Sequence, residues 1–436
     1  MEISNIISVE KIKPSLPTPF HLRVYNLSLL DQMVGAIYVP VILYYLRNDN
    51  SDIIQHLKES LSQTLVTFYP FAGIIKDALS ADCNDQGIPF SVAKVKARLS
   101  KFLQNPNAEL MNKFFPGDEK IPGPGDSIML IQLNCFECGS IAMCIKFNHV
   151  IADMVSISTF LQCWAANAQG LGFSPLINRI SQSPFPQHLS VPNNFSPSSY
   201  VPNYLSTGKF VLRRYVFDAS ALSILKAQAS SSSPSSTVSR VNVVTAVIWK
   251  CFMEAVAEES AGKDVKPVLM TQAVNLRRKA TPPLPGDIFG NLVWPAMGLW
   301  SKPEEKELTE LVSEVKKVIA KIDGEFVRRL RSDCMHELLE ELRNELPQEA
   351  TYLAFSSWAN IGLSEVDFGW GKPVWMSSFN PQYSEFETLV GRNFVNLFDS
   401  KSGGIEASVV LNQKYVAGFE KNDIIRKYAR FNPGVN

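Results

Sequence analysis

The stretch F-N-H-V-I-A-D, Phe147–Asp153, stands where one hydrophobic pattern gives way to another. Before it, apolar residues alternate on both sides of Gly139 and Ser140 and predict a β-hairpin: Met129, Ile131, Leu133, Ile141, Met143, Ile145 and Phe147. After it, spacings of three, four and seven predict one face of a helix: Ile157, Phe160, Leu161 and Trp164. His149 is therefore expected at the end of a strand and Asp153 in the first helical turn.

His149 is one of five histidines, and it alone stands at a boundary between predicted elements behind a strand of buried type. A general base has to be neutral at working pH and has to face a cavity, which the end of a strand between two layers provides. The spacing is equally compatible with a histidine that is satisfied by backbone groups at a helix start. A zinc site would need a third ligand at the usual spacing, which the sequence lacks. A covalent serine mechanism has no G-x-S-x-G motif to support it.

Length and charge limit the class of protein. A chain of 436 residues exceeds what one core usually supports, so two domains of roughly 200 residues each are expected. Lys plus Arg is 42 and Asp plus Glu is 42, without blocks of like charge, which argues against nucleic acid as the main partner.

Neither a secretory leader nor a membrane span is predicted. The first twenty residues lack an apolar stretch, and the most apolar segment, Ala36–Leu46, is short and rich in β-branched and aromatic residues, so it indicates a buried strand. We therefore expect a soluble, cytoplasmic protein. The seven cysteines fit free thiols in a reducing compartment. Cys135 and Cys138 form a C-x-x-C, but a redox or zinc role would need a following helix start or a second cysteine pair.

A change of composition divides the chain. Residues 181–208 are rich in Ser, Pro and Asn without periodicity, which predicts a long crossover linker between domains at 1–180 and 209–436. The second half opens with a strand-like K-F-V-L-R-R-Y-V-F-D and a helix over Ala219–Ala229. A further helical stripe follows Ser239, whose side chain fits an N-cap.

Other segments of the chain carry a family resemblance together with the first motif. They are D-F-G-W-G-K-P (Asp367–Pro373), L-S-L-L-D-Q (Leu27–Gln32), F-Y-P-F-A-G (Phe68–Gly73), C-N-D-Q-G (Cys83–Gly87), Q-A-V-N-L-R (Gln272–Arg277) and F-G-N (Phe289–Asn291). In this order and spacing they resemble the plant BAHD family of acyl-CoA-dependent acyltransferases across essentially the whole chain. H-x-x-x-D alone is a weak signal, whereas its combination with D-F-G-W-G more than two hundred residues later is specific. Within the family the chain is most similar to the branch of alkaloid acetyltransferases, which also holds terpenoid and acylsugar enzymes.

The resemblance implies the fold class. The family has an α/β fold of two similarly folded chloramphenicol-acetyltransferase-like domains, with mixed β-sheets flanked by helices. A long crossover loop joins the domains, and a channel runs between them. Residues near 367–383 are expected to return to the first domain. The protein is expected to be a monomer whose partners are an acyl-CoA donor and a small-molecule alcohol, with no permanently bound cofactor and no metal.

The resemblance also implies roles for site residues. His149 is the general base, and Asp153 points away from the acceptor to pair with Arg277, which holds the turn and orients His149. Trp358 stands at the position whose indole N–H stabilises the oxyanion, with Ser356 as a second polar group beside it, although a tryptophan that only fills the core is the alternative.

Two further groups of residues receive binding or structural roles. Asp367, Gly369, Trp370 and Gly371 are typical of a tight structural turn, because glycine adopts backbone angles closed to other residues. The sequence has no glycine-rich phosphate loop, so the phosphates of CoA are expected at the helix N-terminus after Ser239, with Arg240 and Lys250 as candidate cations.

The predicted function is O-acylation of a bulky plant specialised metabolite, such as an alkaloid, a terpenoid or a sugar-containing compound, with acetyl-CoA as co-substrate. No cation follows Lys146 in the catalytic segment, and strand alternation turns Lys146 away from His149, so we expect an apolar, tight cavity wall that favours acetyl-CoA over malonyl-CoA. The alternatives are a family member with a longer acyl donor, a condensation domain of peptide synthetases, which usually has a second histidine where Asn148 stands, and a non-catalytic binder of the same fold.

Overall fold

The computed structural model describes residues 2–47, 53–117, 121–172, 184–188, 205–230, 238–261, 265–300, 307–378 and 390–435. Most of the predicted linker at 181–208 lies outside the described residues, as do residues 379–383 of the predicted returning segment. The strands in chain order are β1 (Glu2–Ile12), β2 (Val24–Asn26), β3 (Tyr38–Tyr45), β4 (Ile74–Ile75), β5 (Ser80–Asp82), β6 (Ile88–Lys96), β7 (Met129–Phe136), β8 (Ile141–Asn148), β9 (Ser206–Thr207), β10 (Phe210–Phe217), β11 (Val268–Asn275), β12 (Val293–Trp300), β13 (Thr351–Ser357), β14 (Trp375–Ser377), β15 (Val390–Gly391), β16 (Asn393–Asp399), β17 (Ile405–Asn412) and β18 (Arg430–Phe431).

The helices in chain order are α1 (Leu29–Gln32), α2 (Ile54–Thr67), α3 (Leu99–Gln104), α4 (Ala108–Asn112), α5 (Met154–Ala168), α6 (Ala219–Ser230), α7 (Arg240–Glu259), α8 (Leu308–Ala320), α9 (Gly324–Leu330), α10 (Met335–Asn344), α11 (Gln413–Lys421) and α12 (Asp423–Tyr428). The predicted helix over Ala219–Ala229 corresponds to α6 and ends one residue later. Ser239 is the N-cap of α7, and its hydroxyl accepts a hydrogen bond from the Asn242 N–H at 3.0 Å.

Two mixed sheets form the frame of the molecule. Sheet one has the order β1-β6-β7-β8-β3-β14, with β6 and β7 parallel. Sheet two has the order β12-β11-β13-β16-β17-β10-β18, with β11, β13 and β16 parallel. The strand β14 pairs with β3, so a short segment that follows the D-F-G-W-G motif in the second half of the sequence completes sheet one.

The predicted hairpin is the pair β7–β8, and every residue of β8 is buried. Its alternation separates two cores, because Ile141, Met143, Ile145 and Phe147 pack under α2 and α5, whereas Ala142 and Cys144 pack on the opposite face with α3 and Phe114. A strand covered on both faces holds the residue that follows it firmly. His149 is that residue.

Helix α5 starts at the other end of the motif. Asp153 is the N-cap of α5, one position before the first helical turn in which the sequence pattern put it, and its carboxylate accepts a hydrogen bond from the Ser156 N–H at 2.9 Å. The predicted apolar face of α5 is fully buried against α2 and β8: Ile157, Phe160, Leu161 and Trp164. This packing fixes the direction in which the strand-to-helix turn projects His149.

Candidate active site

His149 lies at the wall of a large cavity, immediately after β8. Its backbone N–H donates to the carbonyl of Ile37 at 2.9 Å, just before β3. The main chain of His149 is thus held by the neighbouring strand, while its ring faces the cavity.

The ring of His149 is oriented by Asn291, a residue 142 positions away in sequence. The amide nitrogen of Asn291 donates to the backbone carbonyl of His149 at 2.7 Å and to Asp31 Oδ1 at 2.8 Å. The amide oxygen of Asn291 therefore faces His149 Nδ1, at 3.1 Å. Since an amide oxygen only accepts hydrogen bonds, Nδ1 carries the proton and Nε2 keeps its lone pair.

Asp31 fixes the orientation of the Asn291 amide. Its carboxylate is fully buried and accepts from Asn291 N at 2.9 Å, as well as from the N–H and hydroxyl of Ser28 at 2.9 and 2.8 Å. Burial raises the pKa of Asp31 to about 6, although each of these hydrogen bonds opposes the shift. An acceptor at this place allows only one orientation of the Asn291 amide, the one that presents its oxygen to His149.

The surroundings of His149 favour its neutral form. Burial is the main cause that lowers the pKa of His149, and the positive charge of Arg392 lowers it further, whereas its own backbone, Asp153 and Asn291 act in the opposite direction with smaller effect. A lowered pKa leaves the imidazole unprotonated at neutral pH. The ring is thus able to accept a proton at Nε2.

The carboxylate of Asp153 forms a buried ion pair with Arg277, and both residues contribute to the lining of the cavity. Arg277 donates from Nη1 to Asp153 Oδ2 at 2.6 Å and from Nη2 to Oδ1 at 3.1 Å, and the side chains are 8% and 1% exposed for Asp153 and Arg277, respectively. The Leu292 N–H also donates to Asp153 at 3.0 Å. Burial alone would raise the pKa of Asp153, but the charge and hydrogen bonds of Arg277 outweigh it and hold this pKa below its ordinary value. The pair connects the start of α5 to the residues around β11 and β12.

Trp358 and Ser356 border the same cavity as His149. The backbone N–H of Trp358 donates to Leu397 O at 2.8 Å, and its ring packs edge-on against Phe398. Only 5% of Trp358 is exposed, yet within the described part of the chain its indole N–H makes no hydrogen bond. The structure thus brings His149, Trp358 and Ser356 to one space, whereas Asp153 turns towards Arg277.

The cavity has a volume of about 810 Å³ and lies between sheet one and sheet two. Lys146 points away from His149, as predicted. Its ammonium lies 5.5 Å from the centre of the Phe115 ring, on the face of sheet one opposite the core that Phe147 joins. The expectation of a tight wall without cations is wrong, because Arg278, Arg343 and Arg392 line the cavity. Arg392 precedes β16 in sheet two, and the sequence near His149 carries no sign that this distant segment closes the cavity.

The D-F-G-W-G segment lies at the opposite end of α5 from Asp153. The Asp367 carboxylate accepts from the N–H groups of Gly369 and Gly371 at 2.8 and 2.9 Å, and both glycines have φ above 100°. Gln169, just after α5, donates to the carbonyl of Asp367. Since α5 has 15 residues, the turn is about 22 Å from the start of the helix. Trp370 stacks on Phe368, and Arg47 covers its other side.

Of the three residues predicted to bind CoA, Ser239 and Arg240 lie together at the N-terminus of α7, and Lys250 lies apart from them. Arg240 donates to Asp399 Oδ1 at 2.9 Å and to Asn360 Oδ1 at 2.8 Å, and Asn360 borders the cavity, so the N-terminus of α7 with Ser239 lies beside the space. Lys250 follows Arg240 by ten residues, about 15 Å along α7, and pairs with Glu254 at 2.9 Å. One phosphate group cannot contact both Ser239 and Lys250.

Other predicted features concern metals, thiols and membranes. Among the described residues, no cluster of His, Cys, Asp and Glu is arranged to hold a metal ion. All seven cysteines are free thiols, including Cys135 and Cys138. Within the described ranges, no helix combines the length and apolar character needed to span a membrane.

The comparison with protein families agrees with this geometry. A model described as the Transferase family matches residues 4–424. Epi-neemfruitin B 7-O-acetyltransferase of Melia azedarach is 36% identical over 98% of both chains, and stemmadenine O-acetyltransferase of Catharanthus roseus is 35% identical over 92% of both chains. The chain belongs to this family, the BAHD acyltransferases, and is an acyl-CoA-dependent acyltransferase.

Solved structures confirm the predicted fold. The crystal structure of vinorine synthase covers 95% of this chain, which in turn covers 96% of that one, with 33% identity and a TM-score of 0.79. The crystal structure of F. sporotrichioides TRI101 complexed with coenzyme A and T-2 shares the fold, with 19% identity and a TM-score of 0.73. The two-domain, chloramphenicol-acetyltransferase-like α/β fold predicted from the sequence is therefore confirmed.

Sequence reasoning missed Asn291 and Asp31 as site residues. Both stand in segments that carry the family resemblance, F-G-N and L-S-L-L-D-Q, but neither segment shows by itself what it contacts. The available signal is that Asp31 and Asn291 are polar residues among apolar neighbours. Both side chains are fully buried in the fold.

Proposed function

We propose that this protein transfers the acetyl group of acetyl-CoA to a hydroxyl group of a bulky plant specialised metabolite, with His149 as the general base. The observation that carries the proposal is the hydrogen bond from His149 Nδ1 to Asn291, because it leaves the Nε2 lone pair for the cavity. The volume of about 810 Å³ suits a polycyclic acceptor together with the end of a CoA molecule. The two relatives named above and a limonoid 7-O-acetyltransferase of Citrus sinensis, which is 36% identical over 98% of both chains, are all O-acetyltransferases. This supports acetyl-CoA as donor and a terpenoid or alkaloid as acceptor.

The mechanism follows from the positions of these groups. His149 Nε2 removes the proton of the acceptor hydroxyl as its oxygen attacks the thioester carbonyl, a role that contributes roughly 10²- to 10⁴-fold in rate. The tetrahedral intermediate carries an oxyanion, to which the unengaged indole N–H of Trp358 donates, with Ser356 as a second polar group. The intermediate then expels the CoA sulfur, which takes the proton back from His149. No charge has to remain on the enzyme after one turnover.

The binding of CoA is assigned to the N-terminus of α7. The free N–H groups of the first turn after Ser239 and the helix dipole favour a phosphate. Arg240, whose guanidinium also pairs with Asp399, holds Asn360 at the border of the cavity. Lys250 has no part in this proposal because of its distance along the helix. The domains at 1–180 and 209–436, with the segment around Trp375 completing the first, would provide the two walls.

A longer or anionic acyl donor is the second candidate. It is favoured by one observation, the presence of Arg392 in the cavity wall, since malonyl-CoA needs a cation for its carboxylate. We expect acetyl-CoA to be preferred nevertheless, in agreement with the named relatives.

The test is to incubate the protein with acetyl-, malonyl-, benzoyl- and coumaroyl-CoA and a panel of limonoid and indole alkaloid alcohols, with mass spectrometric detection. The expected product is an acetyl ester, formed with the highest kcat/KM among the four donors. Better use of malonyl-CoA would contradict the donor assignment. Absence of ester with every donor and acceptor, while CoA still binds, would instead favour a non-catalytic binder.

A further inference from the structure

Sheet two presents different residues on its two faces. On one face, Phe355, Val395, Leu397 and Val409 belong to the core that packs under α7. The alternate residues of the same strands line the cavity: Ala354, Ser356, Phe394, Asn396, Ser408 and Val410. The alternation along β13, β16 and β17 therefore shows which of their residues form the cavity wall.

Three polar residues stand side by side on this wall. Ser356 of β13 is opposite Asn396 of β16, and Asn396 is opposite Ser408 of β17. We call Ser356, Asn396 and Ser408 the polar row. With neighbouring strands about 4.8 Å apart, it extends about 10 Å across the sheet. The next row along the strands is apolar: Ala354, Phe394 and Val410.

The polar row has no internal partners among the described residues. Asn396 is 2% exposed, its Oδ1 atom accepts no hydrogen bond there, and its Nδ2 atom donates none within the described part of the chain. The hydroxyls of Ser356 and Ser408 likewise make no hydrogen bond within the described part of the chain. By contrast, Thr271 on the same wall is satisfied by the Tyr352 hydroxyl at 2.8 Å. Buried amide groups almost always have partners, so the open valences of Asn396 point to a ligand.

The polar row starts close to the proposed reaction centre. Trp358 follows Ser356 by two residues, about 7 Å along the strand. At its other end, Ser408 also borders a second cavity of about 240 Å³, which it shares with Ser378 and Trp375. Ser408 thus contributes to the lining of both cavities.

We propose that the polar row binds an oxygen function of the acceptor, either a ketone, an ester or a second hydroxyl, which accepts a hydrogen bond from Asn396 Nδ2 or from a serine hydroxyl of the row. The row thereby selects oxygenated polycyclic alcohols over hydrocarbon-like ones. This inference rests on the proposed function. The amides of the CoA pantetheine arm offer the same hydrogen-bonding chemistry. The acceptor fits better, because the row runs across the strands, whereas the N-terminus of α7 assigned to the CoA phosphates lies beyond the strand ends, next to Asn360.

The experiment compares two polycyclic triterpenoid alcohols that differ only in one ketone remote from the acylated hydroxyl. The variants are Asn396→Leu and Ser408→Ala, with Val410→Ala as a matched control in the adjacent apolar row. Each polar variant should lower kcat/KM for the ketone-bearing alcohol about tenfold, change it little for the alcohol without the ketone and leave the KM for acetyl-CoA unchanged. Val410→Ala should affect both alcohols equally. Asn396→Leu should not lower the melting temperature, since no internal hydrogen bond is lost.

Other results would contradict either the role of the polar row or the proposed function. Three results would overturn the role of the polar row. The first is an equal loss of kcat/KM for both alcohols, and the second is a raised KM for acetyl-CoA alone. The third is a lowered melting temperature of Asn396→Leu together with unaltered selectivity in Ser408→Ala. If the wild-type protein acylates neither these alcohols nor the broader panel, the proposed function itself fails, and the inference that rests on it fails with it.

Discussion

At the scale of single residues, the central feature is the chain of hydrogen bonds from Asp31 through Asn291 to His149. Each hydrogen bond determines the next. Because the Asp31 carboxylate only accepts hydrogen bonds, the amide nitrogen of Asn291 faces Asp31. The amide oxygen of Asn291 then faces His149 Nδ1. The lone pair of the histidine is thus placed by a carboxylate that does not itself touch the ring.

Replacing Asn291 by leucine tests this placement. Asn291→Leu removes the acceptor for Nδ1–H, so the imidazole loses its fixed tautomer and orientation. We expect kcat to fall about tenfold, the equivalent of one hydrogen bond, with the KM for acetyl-CoA nearly unchanged. Asn291→Gln, which keeps the amide, serves as the comparison. An unchanged kcat in Asn291→Leu would mean that the ring is oriented by other contacts.

The pH dependence of kcat/KM tests the charge of His149. Since burial lowers its pKa below the ordinary value of 6.5, the neutral base predominates at pH 7, and the rate should fall as the pH drops through that lowered pKa. A fall that begins above pH 7 would contradict a neutral base.

The charge of His149 is better tested by the pH dependence of the rate than by the pH dependence of the melting temperature. The unfolded chain binds a proton at His149 more readily than the folded one, so the contribution of His149 to stability is present above pH 6.5 and lost below it. Asp31 acts in the opposite direction, because its pKa is raised to about 6 in the folded state and its contribution is lost as the pH rises through that value. The two effects oppose each other in the same pH range.

At the scale of elements, the strand-to-helix turn between β8 and α5 is held at both ends. Phe147 is locked between β3 and β7, and Asp153 caps α5 while it is paired with Arg277. A buried ion pair of this kind adds little stability over an apolar replacement, but loss of one partner strands the other charge.

The variant Asp153→Ala should therefore be destabilised by about 3 kcal/mol, and its transfer rate should fall because the turn that carries His149 loosens. Thermal melting and kcat of the same preparation measure the two effects together. Glu325→Ala, which breaks the exposed pair with Arg328, is the control and should melt as the wild type does. Lost activity at an unchanged melting temperature would indicate a direct catalytic role of Asp153 instead.

The elements around the motif could be predicted because their patterns are local. Alternation identified the β7–β8 hairpin, helical spacing identified the buried face of α5, and Ser239 was recognisable as an N-cap from its residue type. The position of Asp153 differed by one residue, since a spacing pattern does not separate the cap from the first turn. The burial of β8 on both faces followed only from what packs there, which includes the aromatic side chains of Phe102 and Phe114 from an earlier segment of the chain.

At the scale of the whole molecule, the site is made by the meeting of the two sheets. His149 comes from the end of β8 in sheet one, Trp358 and the polar row come from sheet two, and Asn291, just before β12 of sheet two, bonds to the ring of His149. None of these proximities follows from local spacing, since Asp31 and Asn291 are 260 positions apart. For the same reason the sequence predicted the base and its fold family but not Arg392 in the wall, the volume of the cavity or the polar row.

The central claim is that His149 is the base of an acyl transfer from CoA, and the most direct measurement is the acetyl transfer rate of His149→Ala beside that of the wild type. The ring accounts for chemistry and for little of the packing, so the variant should retain the wild-type melting temperature within a few degrees and bind CoA. Its transfer rate should fall by roughly 10²- to 10⁴-fold. Retention of most of the wild-type rate by the folded variant would contradict the assignment of His149 as the base.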